Sequence, residues 1–245
     1  MIPGLLLFAR YAFPPNRLGY CGSPDHAALL GYLSEGTVDE GLTQLARQFE
    51  GAYPYLRLIA ETNGIADPFD RRVVEAYWIG NVLLERVGVS PLYESLRERF
   101  RPRMSVHAFS SMTAFLDDGT RPHHNFHVFE IYRRAGLLRD SRATVALDRM
   151  DQCRISWGRV KAVEGAEVIV ERPPLVLEKG KLALGRPVAV RVQRRIGDAG
   201  SLDAFAPGDM ASVHWSWACD RLTGTQLRSL SAATRRIIAH TNRTL

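Results

Sequence analysis

The spacing of apolar side chains changes near the middle of the 245-residue chain. Before residue 140, apolar positions recur every three or four residues, which is the period of an amphipathic helix. This pattern predicts helices over residues 25–33, 39–49, 53–63, 91–100 and 124–137. Asp67 followed by Pro68 is a typical helix start and predicts a further helix that continues to Leu83.

After residue 150, apolar and polar residues alternate in short runs separated by Gly and Pro. The alternation predicts strands over 154–160, 166–171, 175–177, 182–184 and 188–192, and a last strand around Val213. Several short strands at close spacing favour a small β-barrel, and the segment from Thr225 to Thr241 predicts a closing helix. The expected fold class is α+β, with a helical domain over 1–149 and a barrel with a C-terminal helix over 150–245.

Composition and charge support this division. Hydrophobic residues make up 46% and charged residues 24%, as in ordinary globular proteins. Residues 1–139 hold 15 Lys+Arg and 15 Asp+Glu, whereas residues 140–245 hold 17 and 11, which accounts for the whole net charge of +6. No apolar run approaches the roughly 20 residues of a membrane span.

Three cysteines, Cys21, Cys153 and Cys219, are too few for a disulfide framework. The first ten residues lack the basic region of a signal peptide. We therefore expect a cytoplasmic protein with reduced thiols.

The first candidate site is a histidine cluster formed by His123, His124 and His127. On a helix, His124 and His127 share one face, and neutral imidazoles at that spacing can bind a transition metal or a haem. Two alternatives stay open, namely structural histidines that cap or bond into a helical core, and acid–base chemistry.

The second candidate is an irregular loop predicted from Phe13 to Pro24, which carries Asn16, Tyr20 and Cys21. Long loops of this kind are often functional. Cys21, just before a helix start, is either a thiol with a lowered pKa or an inert buried residue.

The third candidate pairs Cys153 with His214. We expect both residues at strand ends of the barrel, where a thiolate and an imidazole can share a soft metal such as iron.

Two motifs in the second part of the chain are similar to motifs of one family of small chaperones. The first consists of Cys153, Ile155, Gly158 and Val160, and the second of Gly208, Asp209, Val213, His214 and Ala218. In these positions the chain resembles the HypC/HupF-type hydrogenase maturation chaperones. The resemblance implies an OB-like barrel over about residues 150–240 and iron held by Cys153 and His214 together with a partner, either a hydrogenase maturation protein or the large-subunit precursor.

These observations favour an accessory protein of metallocentre assembly, for nickel–iron hydrogenase maturation, rather than an enzyme. One alternative is a metal- or cofactor-dependent enzyme that uses the histidine cluster. Another is a single-strand nucleic-acid module, whose composition of basic and aromatic residues would be met by Arg191, Arg194 and Arg195 with Trp157, Trp215 and Trp217.

Overall fold

The computed structural model describes residues 2–132, 143–195, 204–243 and 245. Its α-helices are α1 Gly4–Arg17, α2 His26–Glu35, α3 Glu40–Arg47, α4 Tyr53–Thr62, α5 Arg71–Trp78, α6 Val82–Glu85, α7 Val89–Phe100, α8 Val106–Thr113, α9 His124–Phe126, α10 Ala143–Cys153 and α11 Gly224–Thr241. A 3₁₀ turn, Arg101–Arg103, follows α7, and a π-helical segment, His127–Tyr132, follows α9. Residues 133–137 of the last predicted N-terminal helix lie outside the described residues.

Within the described residues the strands all lie in the second part of the chain, so the predicted mixture of helix and strand is confirmed. They are β1 Ser156–Glu164, β2 Glu167–Arg172, β3 Leu175–Glu178, β4 Lys181–Leu184, β5 Val188–Gln193, β6 Met210–His214 and β7 Trp217–Arg221. Five of them pair in the closed order β1-β2-β5-β7-β6, and one residue pair, Gln193 with Trp217, joins β5 to β7. The hairpin of β3 and β4 is a separate two-stranded sheet.

The predicted loop from Phe13 to Pro24 is wrong in its first part, because α1 continues to Arg17. Pro14 and Pro15 suggested a loop, yet both are buried in the last turns of this helix. A proline cannot donate the intrahelical hydrogen bond to the carbonyl four residues earlier. The Tyr11 carbonyl, four residues before Pro15, is therefore free to accept from outside the helix.

Two further boundaries differ from the prediction. The helix expected from Asp67 starts at Arg71, and Asp70 caps it by accepting from the Arg72 amide at 2.8 Å. Asp67 instead accepts from the Phe69 amide in the preceding turn. Cys153 is the last residue of α10 rather than a strand end, since β1 begins only at Ser156.

Helical and strand residues share one hydrophobic core. The core joins Leu7 and Trp78 from the helices to Trp217 from the barrel. α1 takes part in this contact through Phe13, whose ring centroid lies 5.5 Å from that of Trp217, and Arg10 of the same helix pairs with Asp220 at 3.3 Å. The domain boundary near residue 150 stays a prediction. Among the described residues, no helix combines the length and apolarity that a bilayer crossing needs.

Candidate metal centre

Three side chains from three separate segments converge at one place. His124 comes from α9, Cys153 ends α10 and His214 ends β6, and one donor atom of each lies within 4.8 Å of the others. Both histidines are buried and Cys153 is half-buried. Bonds of roughly 2.0–2.3 Å to one central ion span this triangle after a small closure of the side chains, so the group could hold a metal ion.

The backbone around Cys153 is fixed on both sides. The Trp215 amide donates to the Gln152 carbonyl at 2.8 Å. The Asn125 side chain accepts from the Ile155 amide at 2.7 Å and donates to the Ile155 carbonyl at 3.1 Å. These bonds hold the junction of α10 and β1 against both α9 and the β6–β7 turn.

His214 is oriented by the carbonyl that Pro15 leaves free. Its Nδ1 donates to the Tyr11 carbonyl at 2.7 Å. Since a carbonyl only accepts, this contact places the proton on Nδ1 and the lone pair on Nε2. Nε2 is buried and meets no hydrogen-bond partner in the part of the chain that the structure describes. A carbonyl behind one ring nitrogen is the usual support for a metal-binding histidine.

His124 is held at both ring nitrogens. Its Nε2 donates to the Cys153 carbonyl at 2.9 Å, so Nδ1 accepts from the Tyr77 hydroxyl at 3.1 Å. The same hydroxyl lies 3.2 Å from the Gly51 carbonyl. Tyr77 can therefore donate to either partner, and it can accept from His124 when it donates to Gly51.

Burial keeps these groups uncharged at neutral pH. It lowers the pKa of His124 to about 4, and it lowers the pKa of His214 well below the ordinary histidine value. It raises the pKa of the Cys153 thiol to about 12. The protein without metal therefore presents neutral imidazoles and a protonated thiol here.

An apolar cavity of about 360 Å³ lies against the three residues. Its wall includes Phe49, Trp78, Val128 and Met150. His127 also lines this cavity, and its Nδ1 lies 3.1 Å from the Tyr55 hydroxyl.

His123 lies apart from the other two histidines of its cluster. Its Nδ1 accepts from the Asn125 amide at 3.0 Å and caps α9, which is the structural role considered for this cluster. The side chain lines a second cavity of about 60 Å³. The structure therefore does not bring His123 to Cys153 and His214.

The loop after α1 forms part of the cavity wall. Asn16 shapes it by donating to the carbonyls of Cys21 at 2.8 Å and Ser23 at 2.6 Å. Burial raises the pKa of Cys21 to about 12, so the prediction of a lowered pKa for this thiol is wrong. The Tyr20 ring stacks on Trp215 with 4.3 Å between ring centroids.

The turn between β6 and β7 has an unusual backbone. Trp215 and Ser216 have φ of 49° and 59°, the left-handed conformation that two-residue hairpin turns require. A bulky residue rarely adopts it. The bond from the Trp215 amide to Gln152 and the stack with Tyr20 hold it there.

The proposed nucleic-acid surface does not form as predicted. Trp157 and Trp217 are buried, with exposures of 8% and 4%, so neither can stack on a base. Arg191 pairs with Glu164 at 2.6 Å and with Glu167 at 3.3 Å.

Sequence analysis missed the residues that orient the three candidate ligands. Tyr11 and Tyr77 gave no signal because their roles depend on contacts 203 and 47 residues away along the chain. Asn125 lies within the histidine cluster and was not among the predicted site residues, whereas in the structure it holds the backbone beside Cys153.

Together, fold and geometry define an α+β protein with a candidate His–Cys–His metal centre beside an apolar cavity. Residues 1–245 match the model of DUF6390, a family of unknown function, and the chain belongs to this family. No curated protein and no solved structure matches it. The comparisons give no support for a HypC/HupF relationship of the second part, which stays a prediction.

Proposed function

We propose that the protein binds one transition-metal ion through His124, Cys153 and His214 and serves metallocentre assembly as an accessory protein. The observation that carries the proposal is the convergence of two buried imidazoles and one half-buried thiol, each within 4.8 Å of the others. The unpartnered Nε2 of His214 adds to it, because a buried lone pair without a partner is costly.

The donor set narrows the choice of metal. One thiolate and two imidazoles suit iron, zinc or copper(I) better than magnesium or calcium, which take oxygen ligands. Three protein ligands leave a position for a further ligand, as catalytic and transfer sites require.

The maturation role follows from the resemblance of the second part to hydrogenase chaperones. Cys153 and His214, the residues chosen on that ground, are two of the three converging donors. In this proposal the barrel is OB-like, and the protein carries iron, or binds a client, together with a maturation protein or the large-subunit precursor. The second candidate is a metal-dependent enzyme, which the cavity of about 360 Å³ favours.

Titration of the full-length protein with Co²⁺ under nitrogen tests metal binding. We expect one equivalent to bind, with thiolate-to-cobalt absorption, and Cys153→Ser to abolish that absorption. Cys21→Ser is the matched control, because this thiol lines the same cavity but is not one of the three converging residues. Equal spectra for wild type and Cys153→Ser would contradict the proposed ligand set.

Transfer of labelled iron to a hydrogenase large-subunit precursor tests the maturation role separately. We expect Cys153→Ala to abolish transfer while the circular dichroism of the protein stays unchanged. Metal binding without any transfer would remove the maturation role and favour the enzyme.

The Tyr77 hydroxyl has two possible partners, His124 Nδ1 and the Gly51 carbonyl, and this leads to a prediction about the affinity for metal. If His124 binds the metal through Nε2, its proton must move to Nδ1, where the Tyr77 oxygen accepts it and the Tyr77 hydroxyl turns to Gly51. Tyr77→Phe removes this acceptor, so we expect metal affinity to fall by about 10–100-fold.

Tyr55→Phe is the matched control for this change, since Tyr55 makes a hydrogen bond of the same 3.1 Å length to His127. We expect it to leave Co²⁺ affinity unchanged. Imidazole ¹⁵N shifts of the Zn²⁺-loaded protein give an independent measurement, and a proton that stays on His124 Nε2 contradicts the assigned ligand atom.

A further inference from the structure

We infer that the cavity beside His124, Cys153 and His214 binds an uncharged, largely apolar small molecule that turns its polar end toward these three residues. The inference about the ligand's class rests on the cavity. The contact between ligand and metal rests on the proposed function.

The cavity has the size of a ligand site rather than of a packing defect. Protein interiors contain few voids larger than a water molecule, whereas small-molecule sites measure roughly 300–1,000 Å³. At about 360 Å³, this cavity falls in the second class. The walls supplied by Phe49, Trp78 and Met150 favour a flat or aromatic molecule.

In the metal-free protein, the charges in the wall exclude an ionic ligand. Among the described residues that line the cavity there is no carboxylate, and Arg149 is the one permanently charged side chain. Arg149 is exposed, so its charge faces water. An ion that enters the cavity loses its hydration without gaining a buried counter-charge, which is costly.

Three polar groups of the wall lie together. His124, Cys153 and His214 converge in one part of it, whereas Phe49 and Val128 offer only carbon. A ligand with one polar group can therefore place that group against these three residues. Tyr20 also lines the cavity and is 48% exposed, so the wall reaches solvent there and a ligand can enter the folded protein.

Calorimetric titration of the metal-free, full-length protein with indole and with indole-3-carboxylate tests the class of ligand. We expect indole to bind and the carboxylate to bind about tenfold more weakly or not at all. Ala52→Leu places extra carbon in the cavity and is expected to weaken indole binding by about tenfold or more. Ala233→Leu, in the second and smaller cavity, is the matched control and should leave it unchanged.

The inference is overturned if indole does not bind, if both compounds bind equally, or if Ala52→Leu binds indole as the wild type does. Val128→Phe replaces Ala52→Leu if the latter unfolds at the titration temperature. In the Co²⁺-loaded protein, 4-phenylimidazole should shift the cobalt d–d bands, and unchanged bands overturn the contact with the metal. Retained indole binding with no Co²⁺ binding supports the cavity inference and overturns the proposed function instead.

Discussion

Asp151→Ala is expected to lower the free energy of unfolding by about 3–5 kcal/mol, because it leaves two buried guanidinium groups without a counter-charge. Asp151 accepts from Arg154 Nε and from Arg172 Nη2, both at 2.9 Å, and from the Leu175 amide at 2.8 Å. The Arg154 side chain is fully buried. Burial alone would raise the pKa of Asp151, but the two arginines hold it below its ordinary value. Urea denaturation measures the loss.

Asp148→Ala is the control, because Asp148 lies on the same helix and is exposed. We expect its effect to stay within about 0.5 kcal/mol. Replacing the three buried charges together by Leu and Met should recover most of the stability lost in the single variant. A loss of less than about 1 kcal/mol in Asp151→Ala would show that water solvates the arginines.

Zinc affinity is expected to increase about tenfold for each pH unit between about pH 6 and 8, because binding displaces one proton from a thiol. The Cys153 thiol has a pKa raised to about 12 by burial, so it is protonated throughout this range. The pKa of His124, lowered to about 4, makes this imidazole neutral already, so it releases no proton. Affinity therefore weakens as the pH falls. Competition titrations against a chelator measure the slope.

Cys21→Ser should keep this slope, whereas Cys153→Ser should lose it together with most of the affinity. A pH indicator should record one proton released for each zinc ion bound. Affinity that does not change with pH would mean that the metal binds without the thiolate.

Sequence analysis named all three residues of the candidate site but did not predict that they lie together in one site. His124 was found through a local cluster, and Cys153 and His214 through their expected strand-end positions and a motif resemblance, as two separate candidates. Their convergence depends on the packing of α9 against the α10–β1 junction and the β6–β7 turn, which no local spacing records. His123 was predicted in the same cluster as His124 but is not one of the three converging residues, because its Nδ1 accepts from the Asn125 amide and caps α9.

The helices were predictable where apolar residues recur at regular helical spacing and no residue in the segment disfavours a helix. The helices that begin at His26, Glu40 and Tyr53 lie close to their predicted positions. Helix α1 was missed because Pro14 and Pro15 oppose a helix locally, whereas burial of the surrounding face against α5 and the barrel outweighs that local preference.

The pairing of the first helix with the last strands has a consequence during synthesis. Arg10 meets Asp220, and Tyr11 meets Ser212 at 2.8 Å, so α1 leaves the ribosome about 200 residues before its partners exist. At roughly 5–20 residues per second, that interval lasts about 10–40 s. Until then the side of α1 that meets these strands, which includes Phe13 against Trp217, has no partner within its own chain, and a ribosome-associated chaperone has time to cover it.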